Sequence, residues 1–147
     1  MQKLGIRNDR RGFTLVELVI IIVILGLIGA VAIPKYYNMV TKAKESAAKG
    51  ALGGLRSGIS IFYANEALNE PEGVPAWPTL AELETVGTVM AQSMPKNPYQ
   101  LDANAPDSIV TGVTKGTIVA GGRGGWAYLA TTGDIWPNTN VAGENDW

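Results

Sequence analysis

Apolar and polar positions divide this chain into three stretches of different character. Residues 1–12 are polar and basic, residues 13–33 are apolar with Glu17 as their only charge, and from Lys35 onward polar and apolar positions are mixed. The apolar run has 21 residues. At about 1.5 Å of rise per residue, a helix of that length crosses a bilayer core of about 30 Å. A secretory signal peptide has an apolar core of only about 7–15 residues followed by small residues at its cleavage site. Gly29-Ala30-Val31-Ala32 offers small residues only after a run that is already too long. The pattern predicts a membrane-spanning helix over 13–34.

Pro34 lacks an amide donor and is expected to loosen this helix without ending it. Beyond it, Val40, Ala43, Ala47, Ala51, Leu55, Ile59 and Phe62 recur every three or four residues, with Lys42, Lys49 and Arg56 largely off that stripe. That spacing predicts an amphipathic helix over 35–65. Glu45 and Lys49 add an i, i+4 pair worth a few tenths of a kcal/mol. Together the two halves predict one rod from Phe13 to Ala64, roughly 75 Å long.

Residues 66–107 read as a connector. Asn69 to Pro78 is rich in proline and glycine, and Thr79-Leu80-Ala81-Glu82 has capping-box spacing that predicts a short helix to Val86. Residues 108–147 have strand character. Ile109–Thr114 and Thr117–Ala120 flank Lys115-Gly116 as a first hairpin, and Trp126–Ala130 and Ile135-Trp136 flank Thr131–Asp134 as a second. Trp126 and Tyr128 share one sheet face and Ala127 and Leu129 the other, one of which is expected to bury against the amphipathic helix, and Pro137 marks an edge or strand end. The fold class is α+β, a long N-terminal helix packed on a small antiparallel sheet.

Charge sharpens the topology. Of twelve basic and thirteen acidic residues, Lys3, Arg7, Arg10, Arg11 and Asp9 lie in the leader, giving it +3 and the remainder −4. Basic residues before the first apolar helix stay in the cytoplasm, which sends the C-terminal part across the membrane, N-in and C-out. No basic stripe interleaved with aromatics indicates a nucleic-acid partner. The chain has no Cys and no His, which excludes disulfides, thiol nucleophiles, His/Cys zinc sites and an imidazole base, so no enzyme is expected.

Two patterns call for partners. A carboxylate in hydrocarbon costs on the order of 2–3 kcal/mol, and no Lys or Arg lies within the run to neutralise Glu17. Either it pairs with an amine created by cutting between Gly12 and Phe13, on its own chain or a neighbour's, or it lies in the headgroup region as a first-turn carboxylate. Gly50, Gly54 and Gly58 recur every four residues, as do Gly26 and Ala30. Glycine in a helix costs up to about 1 kcal/mol relative to alanine, so the repetition points either to close approach of another backbone or to a helix that frays near Gly53-Gly54.

Gly12-Phe13-Thr14-Leu15-Val16-Glu17-Leu18, with a basic leader before it and Pro34 after it, resembles the N-terminal motif of type IV pilins and type II secretion pseudopilins. The resemblance implies that a prepilin peptidase cuts after Gly12 and N-methylates Phe13. It also implies that Glu17 pairs with the terminal amine of a neighbouring subunit, and that copies polymerise from the inner membrane on an assembly platform into a periplasmic or extracellular helical filament. Many type IV pilins carry a C-terminal disulfide loop, and this chain departs from them. Major pseudopilins often bind calcium near the C-terminus. Asp134, Asn138, Asn140, Glu144 and Asp146 supply oxygen donors there, with Asp134, Asn138 and Asp146 the leading candidates, but their spacing forms no EF-hand and a solvated, turn-rich tail is the alternative. Gly121-Gly-Arg-Gly-Gly125 lacks the ending of a phosphate loop and reads as a turn or bulge. The expected function is a structural filament subunit in contact with membrane lipid, without an obligatory cofactor. The alternative is a monomeric anchored domain that binds a periplasmic ligand.

Overall fold

The computed structural model describes residues 12–69, 74–140 and 143–147. The leader before Gly12 and part of the predicted Asn69–Pro78 loop lie outside the described residues. The chain divides into two compact units, Met1–Val40 and Thr41–Trp147.

The dominant element is helix α1, Leu15–Asn69, 55 residues with Pro34 inside it. Pro34 removes a single amide donor, and the helix continues through it without a break. At its far end α1 runs five residues past the expected Ala64, through Asn65-Glu66-Ala67-Leu68-Asn69. In the first unit every large apolar side chain from Phe13 to Val40 is exposed. This part of α1 is long and apolar enough to cross a membrane.

In the second unit α1 buries Ala48, Leu52, Leu55 and Ile59. The predicted stripe is right at Leu55 and Ile59, partly right at Ala51, which packs half-buried against the core, and misplaced before that, since Val40, Ala43 and Ala47 are exposed. Four-residue steps advance about 40° around a helix, so a stripe extended backward from Leu55 in such steps drifts off the buried arc that Ala48 and Leu52 occupy. Helix α2, Leu80–Glu84, starts at the predicted capping box and ends two residues before Val86.

Three strands follow, β1 (Ile109–Thr111), β2 (Trp126–Leu129) and β3 (Asp134–Pro137), in the order β1-β2-β3. The second hairpin is present, with Ala127 opposite Trp136 and Tyr128 opposite Ile135 in an antiparallel pair. The first is not. β1 runs parallel to β2, Ile109 against Trp126 and Thr111 against Tyr128, which makes the sheet mixed and not antiparallel. The reason lies in Thr117–Ala120, where the backbone groups of Thr117 and Val119 are satisfied outside any ladder. Asn138 Oδ1 accepts from Val119 N at 2.9 Å, Asn138 Nδ2 donates to Val119 O at 3.0 Å, and the Trp136 indole donates to Thr117 O at 2.9 Å. With those groups engaged, the β-branched run cannot pair with Ile109–Thr111.

One sheet face carries the main core, in which Trp126, Tyr128 and Ile135 pack with Leu52, Leu55, Ile59, Leu83 and Ile109. The other face is covered as well. Trp136 is fully buried against Gly112, where a Cβ would come within 2.2 Å of the indole ring. Behind it sits a polar centre. Asn138 also donates to Arg123 O at 2.7 Å, Asn97 Nδ2 donates to Gly125 O at 2.8 Å, and a Cβ on Gly125 would fall 1.8 Å from Pro106 O. Among the described residues no buried side-chain nitrogen or oxygen lacks a hydrogen-bond partner.

Candidate functional site

The residues predicted to matter for processing and assembly gather at the start of α1. Gly12 and Phe13 precede the helix in exposed chain, and Phe13 is 82% exposed. Thr14 takes the N-cap position. Its backbone N–H donates to Glu17 Oε2 at 2.8 Å and its hydroxyl donates to the same oxygen at 2.9 Å, while Thr14 Oγ1 accepts from Glu17 N at 3.2 Å. This is a reciprocal capping box, which satisfies amide groups that the first turn leaves without intrahelical partners.

The box changes the reading of Glu17. An acid with no basic residue in its own apolar run nevertheless has a partner three residues away. Thr14 is the site residue that the sequence reading missed. Its signal was present, because Thr14-Leu15-Val16-Glu17 has the same Thr-x-x-Glu spacing that was recognised at Thr79. At Thr14 the neighbouring apolar run drew attention to membrane insertion and away from local helix chemistry.

The small-residue positions separate. A Cβ on Gly26, Gly50 or Gly54 would meet nothing within 4 Å, whereas one on Gly58 would lie 2.5 Å from Met90 Sδ and 3.0 Å from Val89 O. Gly58 therefore admits the chain's own connector, not its sheet. Gly50 and Gly54 lie on exposed helix surface, as do Ala30 and Pro34. The helix is continuous through Gly53-Gly54 and does not fray there.

Most of the candidate calcium ligands are engaged by protein groups. Asp134 accepts from Thr132 Oγ1 at 2.7 Å and pairs with Lys115 Nζ at 3.1 Å; the Thr132 hydrogen bond, followed by the lysine, holds its carboxyl below the usual range. Asn138 is buried with its amide directed to backbone groups, and Asp146 is exposed. Glu144 is nearly buried and accepts from Thr139 Oγ1 at 2.8 Å, and burial pushes its carboxyl up. Among the described residues no group of three or more His, Cys, Asp or Glu side chains is placed to hold a metal ion. The Gly121–Gly125 segment forms a 3-10 turn, Ala120–Gly122, leading into β2.

With this geometry in place, the comparisons with known proteins converge. A family profile described as the prokaryotic N-terminal methylation motif matches residues 7–33. The chain is 29% identical over 118 residues to the fimbrial protein EcpC of Eikenella corrodens, covering 80% of this chain and 71% of that protein. It is 30% identical over 102 residues to the type IV major pilin protein PilE of Neisseria gonorrhoeae, covering 69% of this chain and 54% of that one. It is 29% identical over 100 residues to the type IV major fimbrial protein FimA of Dichelobacter nodosus, covering 68% and 62%. The chain thus spans less than two thirds of the length of those last two relatives. No solved structure matches it.

Proposed function

We propose, on the footing that this chain belongs to the type IV pilin family, that it is the structural subunit of a pilus. In this reading it enters the inner membrane as an N-in, C-out precursor, is cut after Gly12 by a prepilin peptidase, is N-methylated on Phe13, and polymerises through the N-terminal part of α1. The role is structural, not catalytic. The relatives reported above are named as pilins and fimbrial proteins, which favours a surface pilus over a secretion pseudopilus.

The observation that carries the reading is a coincidence of position. The methylation motif of residues 7–33 straddles the start of a helix whose large apolar side chains are all exposed as far as Val40 and whose first turn contains Glu17, the sole charge of the run. Exposed apolar surface on that scale needs lipid or other copies of the chain to cover it. Glu17 is held by hydrogen bonds to Thr14, and among the described residues no ion pair engages it. Those bonds already carry the carboxylate's charge, and a bond to the ammonium of a neighbour's Phe13 adds the opposite charge on the donor, which makes it stronger than the bonds it displaces. Each incoming subunit would thereby be seated at the depth where that exchange occurs.

The test is intact-mass and N-terminal analysis of the sheared, pelletable fraction from cells that carry an assembly platform. The expected chain begins with methylated Phe13. An assembled chain retaining Met1–Gly12 would contradict the processing. Recovery only as a detergent-extracted monomer would support the anchored binding domain instead.

A further inference from the structure

We infer that one face of the N-terminal part of α1 holds an anionic phospholipid. An acyl chain would lie along the groove formed by Leu27, Ile28, Val31 and Ala32, and the phosphate would meet the Lys35 ammonium at the end of that groove. The inference rests on the membrane-anchored reading proposed above. The groove is an open depression of about 500 Å3 on the helix surface, and Lys35 is its only polar lining residue.

Position along the helix places Lys35 at headgroup level. Glu17 and Lys35 are 18 residues apart, which is five whole turns, so they share a face separated by about 27 Å against a hydrocarbon core of about 30 Å. With Glu17 at one boundary, Lys35 reaches the other, its alkyl stem lying along the apolar surface. Tyr36 and Tyr37 follow, 70% and 72% exposed, in the place where amphipathic rings favour the interface.

Charge identifies the occupant. From Leu18 to Lys44 the chain contains no Asp or Glu but has Lys35, Lys42 and Lys44. Lysines on the outer flank run against the usual cytoplasmic excess of basic residues, and an anionic headgroup supplies the attraction that offsets this. Among the described residues no ion pair engages Lys35. A second, parallel copy of the chain has no carboxylate at that depth to offer it. Helix-on-helix contacts in membranes also favour small residues, whereas Leu27, Ile28 and Val31 are large. The small-residue side lies elsewhere. Gly26 precedes Lys35 by nine residues and so faces the opposite side of the helix, leaving that side open to neighbouring helices while lipid occupies the groove.

The test reconstitutes the full chain in nanodiscs of equal parts phosphatidylethanolamine and phosphatidylglycerol and counts the lipids retained on gentle release by native mass spectrometry. Phosphatidylglycerol should be enriched about fivefold, the ratio corresponding to about 1 kcal/mol for one lysine at an anionic surface. Lys35→Gln should abolish the enrichment. Ala32→Trp should lower total retained lipid by filling the groove, and Lys96→Gln, which removes the same charge from the connector, should leave the enrichment in place. Retention in the bulk ratio, or equal losses for Lys35→Gln and Lys96→Gln, would overturn the inference. So would a change in chain-to-chain crosslinking by Lys35→Gln with no change in lipid, because that outcome assigns the groove to a second copy. Alkaline carbonate extraction separates the two levels: release of the chain overturns the anchored reading itself, whereas a resistant chain without lipid preference overturns only the groove.

Discussion

The same four-residue device occurs twice in this chain, in two unlike surroundings. At Thr79–Glu82 the glutamate accepts from the threonine N–H at 2.7 Å and hydroxyl at 2.8 Å, and the threonine oxygen accepts from the glutamate N–H at 3.3 Å. At Thr14–Glu17 the corresponding distances are 2.8, 2.9 and 3.2 Å. Around Thr79 the domain closes in, because Pro78 O receives the buried Tyr128 hydroxyl at 2.8 Å and Leu83 sits in the core. Among the described residues no tertiary contact of that kind is made around Thr14, and Phe13, Leu15 and Val16 are all exposed. Identical local chemistry is therefore locked in one place and exchangeable in the other. A helix start fixed by its domain serves folding, whereas one held only by its own threonine leaves its carboxylate free to change partners.

The largest expected effect tests that distinction directly. Glu17→Gln should lower subunit in the sheared filament fraction by about tenfold or more, since exchange to a neighbour's amine requires the charge. Processing at Gly12 and domain folding should be unchanged. Glu82→Gln, the same substitution in the locked box, should leave filament yield near wild type. Normal yield from a processed Glu17→Gln chain would make the two boxes equivalent and return Glu17 to an ordinary first-turn residue.

This contrast was only partly legible in the sequence. The apolar run, the short helix at Thr79 and the Trp126–Pro137 hairpin were readable because each depends on local periodicity, capping or turn chemistry. The partner of β1 was not, because Ile109–Thr114 and Thr117–Ala120 look like a hairpin until a distant asparagine is considered. Asn138 engages both backbone groups of Val119 from 19 residues away, and no local pattern announces that. The direction of the helix glycines was equally hidden. Gly50, Gly54 and Gly58 share a spacing, yet only Gly58 meets the connector, since the buried arc is set by where Leu52 and Leu55 land. At the start of α1 the Gly12-Phe13 step and the acid stood out from their order alone, whereas the Thr14 cap required applying one rule in a second place.

The locked region should lose stability, not assembly chemistry, when its long-range bonds are cut. Asn138→Ala strands backbone groups of Val119 and Arg123 inside the domain. A cost of about 2–4 kcal/mol is expected, at about 1–3 kcal/mol per stranded group with partial relaxation. Denaturant unfolding of the detergent-solubilised full chain, followed by tryptophan fluorescence, measures it. Anchoring and cleavage after Gly12 should not change. A loss below about 0.5 kcal/mol would mean that the segment around Val119 finds other partners at little cost.

A smaller effect appears in alkali. Burial pushes the Tyr128 hydroxyl up to about 12, above its ordinary value of 10.0. Folding therefore favours its protonated form, and the contribution is fully present below pH 10.0 and lost as pH rises toward about 12. Tyr128→Phe should cost about 1 kcal/mol at neutral pH through the bond to Pro78 O. It should also flatten the decline in stability across that alkaline window. An unchanged slope in the variant would assign the alkaline loss to other groups.

The smallest effect isolates the charge of the locked box. Hydrogen bonds from Thr79, backbone first and hydroxyl second, hold the Glu82 carboxyl below its ordinary value of 4.5. A depressed folded value means that the carboxylate's stabilisation is present above pH 4.5 and lost as pH falls through the lower folded value. The amide in Glu82→Gln can still accept from Thr79 N, so only the charge assistance and its attraction to the helix N-terminus disappear. At neutral pH the wild-type chain should be more stable than the variant by about 0.5 kcal/mol, within the range for a helix cap. Below the folded value the two should converge, because the protonated carboxyl and the amide are then both neutral acceptors. Unfolding curves at neutral and strongly acid pH decide it. A difference that persists in acid would locate the role of Glu82 in the contacts of its side chain and not in its charge, and the resemblance between the two boxes would then be geometric alone.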